Sequence, residues 1–183
     1  MDSTSPYWDY LFGNESEALA YAESHNLNTT SIPEIAKHIA LLPKANSLRQ
    51  RTVVITQGPD ATIVAVAQTD GNVDIKEYPT AKIPAEEIVD TNGAGDAFAG
   101  GFMGKLILGG NLEQCVYAGQ WLAGLCLRCN GPAYHPNNPK SDCIDIRSQS
   151  WSTRIRSCKA EQVVEVYSEF NEGRVYEGDY IIY

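Results

Sequence analysis

The amino-acid sequence predicts an α/β fold, in which strands and helices are layered on a common sheet. Residues 51–56 form a β-branched run without polar alternation, as expected for a strand that is covered on both faces. Segments with helical spacing alternate with such strands along the chain, which is the pattern of α/β folds. A glycine turn at residues 93–95 then joins the end of a strand to the start of a helix.

The first elements are expected to be a strand and two helices. Residues 9–13 read as a short buried strand. A helix follows it, because Asn14 can cap a helix and Glu17, three residues later, completes the pattern of a capping box. A second helix is expected to begin near residue 31 and to end before Pro43.

A hairpin and two helices are expected next. Residues 62–66 and 73–78 read as strands joined near Gly71. The helix after the glycine turn places apolar residues four apart on one face, and the pair Gly100 and Gly101 within it suggests very close packing against a neighbour. A mostly apolar helix, expected to be buried, extends from Leu112 to about Leu127.

Composition limits the classes of function. The net charge of −9 and the pI near 4.7 argue against non-specific binding to nucleic acid or to anionic membranes. Neither a secretory signal nor a membrane-length apolar run is recognisable, so the cytoplasm is the expected location, with the nucleus as a second one. The five cysteines, including Cys126 and Cys129, are expected to be reduced structural thiols. Lys44, Arg49 and Arg51 are interpreted as a solvated basic patch.

The glycine turn carries the main chemical signal. Gly93 and Gly95 leave the backbone accessible to a ligand, and the free N–H groups at a helix N-terminus form an anion site. Asp96 is expected in the first turn of this helix, where its carboxylate would repel a phosphate. The alternative is a capping residue in a tight turn. We interpret Asp96 instead as a base that takes a proton from a hydroxyl attacking a bound phosphoryl group.

Two further sites are open to two interpretations from the residues alone. Asn14 and Glu17 share one helix face; they form either a simple cap or a site that touches phosphates and holds the water around Mg²⁺. Thr56 and Gly58 follow a buried strand. They are either an ordinary strand end or contacts to a nucleotide, because ligands gather beyond the carboxyl ends of strands in open α/β sheets.

Several segments together resemble a known family. Residues 90–98 are similar to the second signature of the ribokinase-like carbohydrate and purine kinases. Residues 11–18, 42–44 and 49–58 resemble the adenosine kinases of eukaryotes within that family. The similarity extends over about residues 6–135. It implies a ribokinase-like fold with a largely parallel central sheet flanked by helices, and an enzyme of purine salvage that converts ATP and adenosine to ADP and AMP, with Mg²⁺ as cofactor.

The resemblance also implies roles for individual residues. Asp96 matches the general base for the adenosine 5′-hydroxyl, and the amides of Gly93, Ala94 and Gly95 match the anion hole. Glu17 matches the residue that holds Mg²⁺ through water. The remaining matches to ATP-binding residues are Asn14, Thr56, Gly58, Asn92 and Gln120.

The resemblance divides the chain in two. Residues 1–136 match the C-terminal half of the kinase domain, without its lid and first strands, and residues 137–183 are an unmatched tail. A sheet cut in this way exposes an edge, which a second chain could cover. Adenosine and ATP are the expected small-molecule partners. The alternatives are an inactive nucleotide-binding fragment or interaction module and, more weakly, a kinase of another ribose-containing substrate.

Overall fold

A computed structural model describes residues 3–46 and 48–129, all of which belong to one compact unit that covers residues 1–133. The tail predicted for residues 137–183 lies outside the described residues. Among the described helices, none has both the length and the apolar character needed to cross a membrane. The strands and helices are β1 (Tyr10–Asn14), α1 (Glu15–Ser24), α2 (Ile32–Ala40), β2 (Thr52–Gln57), β3 (Asp60–Ala67), β4 (Val73–Tyr78), α3 (Ala94–Ile107) and α4 (Leu112–Leu127).

The four described strands form one sheet in the order β1-β2-β3-β4. β1 and β2 are parallel, and their register places Asn14 opposite Thr56. β2 with β3 and β3 with β4 are antiparallel. The described sheet is therefore mixed rather than largely parallel. The reason is the length of the connections, because a turn at Gly58 and a short loop at Gly71 allow only hairpins, whereas a parallel crossover needs a dozen residues or more.

Helices cover both faces of the sheet, as the non-alternating run in β2 predicts. Val53 and Ile55 pack on one face with α1 and α2. Val54, between them, packs on the other face with Phe98 and Phe102 of α3. All three β2 residues are buried, at 1% exposure or less. The two apolar layers hold the sheet between α1 and α2 on one face and α3 and α4 on the other. They also fix the position of α3 relative to the strands.

Arg51 corrects the interpretation of a solvated basic patch. Its side chain is 1% exposed at the start of β2. The guanidinium lies among backbone carbonyl groups and joins the segment before β1 to the end of α2, which a planar group with five N–H donors can do. The carbonyl oxygens that accept its hydrogen bonds belong to Ser5, Trp8, Ile39, Leu42 and Pro43.

The other two cations of that patch make ordinary partly exposed contacts. Lys44 and Arg49 both pair with Asp9, the residue directly before β1. The hydrogen bond from Lys44 is the largest cause that lowers the pKa of Asp9 from its ordinary value. These pairs hold the start of β1 against the loop before β2.

α3 and α4 approach so closely that their backbones touch. A Cβ atom built on Gly101 would lie 2.5 Å from the carbonyl oxygen of Ala118 in α4. A Cβ atom on Gly119 would lie 2.8 Å from the carbonyl oxygen of Phe98 in α3. The contact confirms the close packing expected of the glycine pair, but only through Gly101, because a Cβ atom on Gly100 would meet nothing within 4 Å.

The glycine pair offers a matched test of this contact. Gly101→Ala should lower the free energy of unfolding by roughly 1–3 kcal/mol, because the added methyl group must push two backbones apart. Gly100→Ala should leave it unchanged or raise it by up to about 1 kcal/mol, since alanine favours a helix interior. Urea unfolding followed by circular dichroism measures both. Equal effects of the two substitutions would contradict the close contact.

Candidate active site

The turn before α3 leaves the start of this helix open. Gly93 is the N-cap residue and has φ +80°, a left-handed conformation that favours glycine. It has no side chain that could cap the helix. Asn14 and Asn111, by contrast, cap α1 and α4. The Ala94 amide donates to the Thr91 carbonyl oxygen at 3.4 Å, a long hydrogen bond, so the start of α3 is a candidate anion site built mainly on the amides that follow it.

Asp96 lies in the first turn of α3, where the sequence predicts it. The residue is exposed, and no described group makes a hydrogen bond or an ion pair with its carboxylate. The space in front of the preceding residue is open, because a Cβ atom built on Gly95 would meet nothing within 4 Å. A carboxylate next to uncapped helix amides is free to accept a proton from a ligand that binds at those amides.

A second group of predicted residues meets at the carboxyl ends of β1 and β2. The parallel register brings Asn14 opposite Thr56, and the Thr56 hydroxyl lies 3.5 Å from the Gly13 carbonyl oxygen that accepts from it. Gly58 follows in the turn after β2, exposed and with φ +56°. Residues that are more than 40 positions apart in the sequence thus form one continuous polar edge of the sheet.

The capping box at the start of α1 is formed as predicted. Asn14 Oδ1 accepts from the Glu17 amide at 2.9 Å, and Glu17 Oε2 accepts from the Asn14 amide at 2.8 Å. The box uses one polar atom of each side chain. Asn14 Nδ2 and Glu17 Oε1 remain for a ligand, so the cap and the binding interpretation are compatible in this geometry.

Aromatic packing brings the two groups of predicted residues to the same end of β1. Phe98, two residues after Asp96, packs on Phe12 with ring centroids 6.4 Å apart. Phe12 in turn lies two residues before Asn14. Phe102, one turn further along α3, contacts the same ring at 5.1 Å. α3 therefore begins above the carboxyl end of β1, where Asn14 ends the strand.

Gln120 is engaged in the sheet rather than open to solvent. Its Nε2, which carries two hydrogens, lies within hydrogen-bond distance of three acceptors, Thr62 Oγ1 at 3.2 Å, the Tyr78 carbonyl oxygen at 3.3 Å and Thr80 Oγ1 at 3.3 Å. Thr62 lies near the start of β3, next to the end of β2 that carries Thr56. Gln120 thus belongs to the same end of the sheet, with its amide nitrogen already bonded.

Asn92 is part of the glycine turn and is held by the end of α4. Its amide donates to Asp90 Oδ1 at 3.0 Å, and its carbonyl oxygen accepts from the Cys126 thiol at 3.5 Å. The Leu127 carbonyl oxygen accepts from the amides of Val89 and Asp90. The exposed side chain of Asn92 remains available at the site.

Cys126 is free and buried, in agreement with the expectation of a reduced structural thiol, but its contact with the glycine turn is not predicted by the sequence. Burial raises its pKa, and the nearby thiol of Cys129 and the carboxylates of Asp90 and Asp96 add to the rise. Cys126 therefore stays protonated at neutral pH and can donate to the Asn92 carbonyl oxygen. No local pattern marks this contact, because it joins residues 34 positions apart.

Glu17 could contribute to a site for a metal ion that arrives bound to a ligand, which needs fewer protein ligands than a metal ion held by the protein alone. Within residues 3–46 and 48–129, no group of three histidine, cysteine or acidic side chains is placed to hold a metal. Mg²⁺ usually keeps several waters and binds through one or two carboxylates and the substrate's phosphates. Glu17 Oε1, at the edge shared by Asn14 and Thr56, has the chemistry to hold one such water.

Comparison with known proteins places the chain among kinases. Residues 1–140 match the model of the pfkB family of carbohydrate kinases. The adenosine kinase of Schizosaccharomyces pombe is 50% identical over 131 residues, and adenosine kinase 1 of Arabidopsis thaliana is 45% identical over 134 residues. These matches cover 72% and 73% of this chain. The chain spans only about 37% of the length of either relative.

Solved structures agree with this assignment. The structure of Anopheles gambiae adenosine kinase, in complex with a di(adenosine) tetraphosphate, is 45% identical with a TM-score of 0.65, over 69% of this chain and 36% of that one. Ribokinase from Thermotoga maritima is 25% identical with a TM-score of 0.60, over 72% of this chain and 39% of that one. The fold is ribokinase-like, and the chain belongs to the pfkB family of carbohydrate kinases.

Proposed function

We propose that this chain carries the phosphoryl-transfer and ATP-binding part of an adenosine kinase, which phosphorylates the adenosine 5′-hydroxyl to give AMP. The single observation that supports this most strongly is the exposed carboxylate of Asp96 beside the uncapped amides of α3. The curated relatives at 45–50% identity are adenosine kinases, which supports adenosine over a sugar as the acceptor. We assign the protein to the cytoplasm, with the nucleus as a second location.

The proposed reaction divides the work between two groups at the start of α3. Asp96 takes the proton of the 5′-hydroxyl as the hydroxyl oxygen forms its bond to the γ-phosphorus of ATP. The bond between that phosphorus and the β–γ bridging oxygen breaks, and ADP leaves. The amides of Gly93, Ala94 and Gly95 donate to the oxygens of the migrating phosphoryl group, whose charge they stabilise.

The remaining residues would hold ATP at the carboxyl ends of the strands. Asn14 Nδ2 would donate to a phosphate oxygen, and the Thr56 hydroxyl would do so by turning away from the Gly13 carbonyl oxygen, to which it donates at 3.5 Å. The bare backbone at Gly58 and the side chain of Asn92 would meet the nucleotide. Gln120 would contact the adenine through its Oε1 atom, since its Nε2 is bonded to the sheet. Mg²⁺, bound to the phosphates and through water to Glu17, would offset the negative charge of ATP.

A second candidate is a nucleotide-binding fragment or interaction module without catalysis. The observation that favours it is the coverage, because nearly two thirds of each curated relative has no counterpart in these residues. The residues proposed for ATP all lie within the described part of the chain. The resemblance implies that most of the groups that hold adenosine belong to the part of the relatives that has no counterpart in this chain. Nucleotide binding can therefore persist where turnover is weak.

Asp96→Asn distinguishes a role of Asp96 in catalysis from a role in ATP binding. The 183-residue chain should bind Mg-ATP in calorimetry and turn over adenosine poorly or not at all in a coupled assay. Asp96→Asn should tighten Mg-ATP binding by about two- to fivefold, because removing the carboxylate removes its repulsion of the phosphates. Asp74→Asn makes the same change of charge at an exposed position on β4 and should leave the affinity unchanged.

Two results would contradict this account of Asp96. If the folded chain bound no Mg-ATP, the nucleotide site would be wrong. If the chain phosphorylated adenosine and Asp96→Asn did so equally well, Asp96 would not be the base. Adenosine turnover that disappears in Asp96→Asn would support the base and show that the unmatched part of the relatives is dispensable.

Glu17→Gln tests the role of the carboxylate without breaking the cap. The cap of α4 already uses this pattern, with Gln114 Oε1 accepting from the Asn111 amide at 3.0 Å. Glu17→Gln should therefore change the free energy of unfolding by less than about 0.5 kcal/mol. It should weaken the binding of ATP with Mg²⁺ severalfold, because the carboxylate that holds the metal-bound water is lost. It should leave the binding of ATP without Mg²⁺ unchanged or slightly tighter, because one negative charge near the phosphates is removed. Equal weakening in both conditions would show that Glu17 does not act through the metal.

A further inference from the structure

Two cysteines lie three residues apart at the end of α4. Cys126 belongs to the last helical turn, and Cys129 directly follows the C-cap residue Arg128. The Cys129 amide donates to the Cys126 carbonyl oxygen at 3.0 Å, which keeps the two residues in one turn. At this spacing Cβ atoms lie about 5–6 Å apart, whereas a disulfide needs about 3.5–4.5 Å. The bond therefore requires a small shift, which Cys129 can make because it lies outside the helix.

The two thiols are both free, and they differ in their access to solvent. Cys126 is 8% exposed, whereas Cys129 is half-buried. Burial raises the pKa of Cys126, and a thiolate at Cys129 would raise it further, which reflects how near the two sulfur atoms are. Cys115 is eleven residues earlier in α4, about 16 Å along the helix axis, and is too far away to pair with either. A soluble oxidant therefore meets Cys129 first, with Cys126 as its nearest described partner.

The Cys126 thiol is also bonded to the segment that leads into α3. It donates to the Asn92 carbonyl oxygen at 3.5 Å, and Asn92 directly precedes Gly93, the N-cap residue of α3. Only the reduced form can make this hydrogen bond, because the sulfur atoms of a disulfide carry no hydrogen. Oxidation of Cys126 thus removes a donor from the backbone beside the candidate anion site.

We propose that Cys126 and Cys129 form a reversible disulfide, which releases the Asn92 carbonyl oxygen and weakens the binding of phosphate groups at the start of α3. The disulfide and the loosening of the turn are independent of the proposed function, whereas the effect on phosphate binding rests on it. Intracellular disulfides are usually transient, and redox sensing is one of their common roles.

A peroxide is the oxidant that this chemistry needs. The Cys129 thiolate attacks one oxygen of hydrogen peroxide, the O–O bond breaks, and a sulfenic acid and water form once the released oxygen takes up a proton. The Cys126 sulfur then attacks the Cys129 sulfur, the S–O bond breaks, and a second water leaves with the thiol proton. Two electrons pass from sulfur to oxygen in total. Dithiothreitol reverses the change by thiol–disulfide exchange and is itself oxidised to a cyclic disulfide.

Peptide mapping of the 183-residue chain tests whether the disulfide forms. Trypsin cleaves after Arg128, between the two cysteines, so the disulfide should join peptide 106–128 to peptide 129–140 after treatment with hydrogen peroxide. Dithiothreitol should separate the two peptides again. Cys126→Ala should abolish the link, which excludes Cys115 of the same peptide as the partner.

Oxidation should also loosen the turn and weaken phosphate binding. The amides of Val89 and Asp90 donate to the carbonyl oxygen of Leu127, the neighbour of Cys126, and their hydrogen exchange should become faster. Calorimetry should show Mg-ATP binding that is about three- to tenfold weaker, which corresponds to the loss of roughly one hydrogen bond. Dithiothreitol should restore both properties.

Three variants separate the disulfide from the hydrogen bond. Cys129→Ser keeps the Cys126 thiol but cannot form the disulfide, so peroxide should change its Mg-ATP affinity by less than about twofold. Cys126→Ala lacks the donor to Asn92 and should bind Mg-ATP as weakly as the oxidised chain, even in dithiothreitol. Cys126→Ser provides a hydroxyl donor at the same position and should recover part of the affinity. Circular dichroism of each variant checks that the fold is retained.

Several results would overturn the proposal. They are the absence of the link between the two peptides, a bridge from either cysteine to Cys143 or Cys158, a peroxide effect that persists in Cys129→Ser, or equal affinities of Cys126→Ser and Cys126→Ala. A disulfide that leaves both the exchange of the turn and the Mg-ATP affinity unchanged would overturn it as well.

The failure of this proposal differs from the failure of the proposed function. A reduced chain that binds no Mg-ATP would contradict the proposed function, while the link between the peptides and faster exchange at Val89 and Asp90 would still support the disulfide and its effect on the turn. Mg-ATP binding that is normal and unaffected by peroxide would do the reverse.

Discussion

The backbone contact between α3 and α4 sets the geometry of the candidate site. Gly101 and Gly119 remove the side chains that would keep the two helices apart. The last turn of α4 can then reach residues 89–92, which are not a strand although the sequence predicts a strand end there, and Leu127 and Cys126 hold this backbone by hydrogen bonds. The segment directly before the first amides of α3 is thus fixed in place by hydrogen bonds to α4. Preorganised amides of this kind stabilise developing charge without rearranging.

Among the described α-helices, only α2 and α3 begin without a side-chain cap, and α3 is the one whose first turn carries Asp96. Asn14 and Asn111 close the ends of α1 and α4 with capping boxes, whereas α3 begins with Gly93 and has no side-chain cap. Parallel pairing of β1 with β2 adds Asn14 and Thr56 at the same end of the sheet. The site therefore combines an anion-binding helix start with polar groups on two strand ends, which suits a ligand with several phosphates.

Features that depend on neighbouring residues could be predicted from the sequence, and features that depend on distant contacts could not. The capping box of α1 and the glycine turn before Asp96 follow from local spacing, and both form as expected. The antiparallel pairing of β2 with β3 also follows from the short turn at Gly58, a step that the expectation of a largely parallel sheet overlooked. The burial of Arg51 and the contact of Cys126 with the glycine turn could not be predicted, because their partners lie up to 46 and 34 positions away.

The most direct test of the central claim is whether phosphate groups bind at the uncapped start of α3. Nuclear magnetic resonance of the ¹⁵N-labelled chain during a titration with Mg-ADP measures this residue by residue. The account predicts that the largest amide shifts occur at residues 93–96, followed by Asn14 and Thr56, with none at the capped start of α4. Saturable shifts elsewhere that leave residues 93–96 unchanged would contradict it.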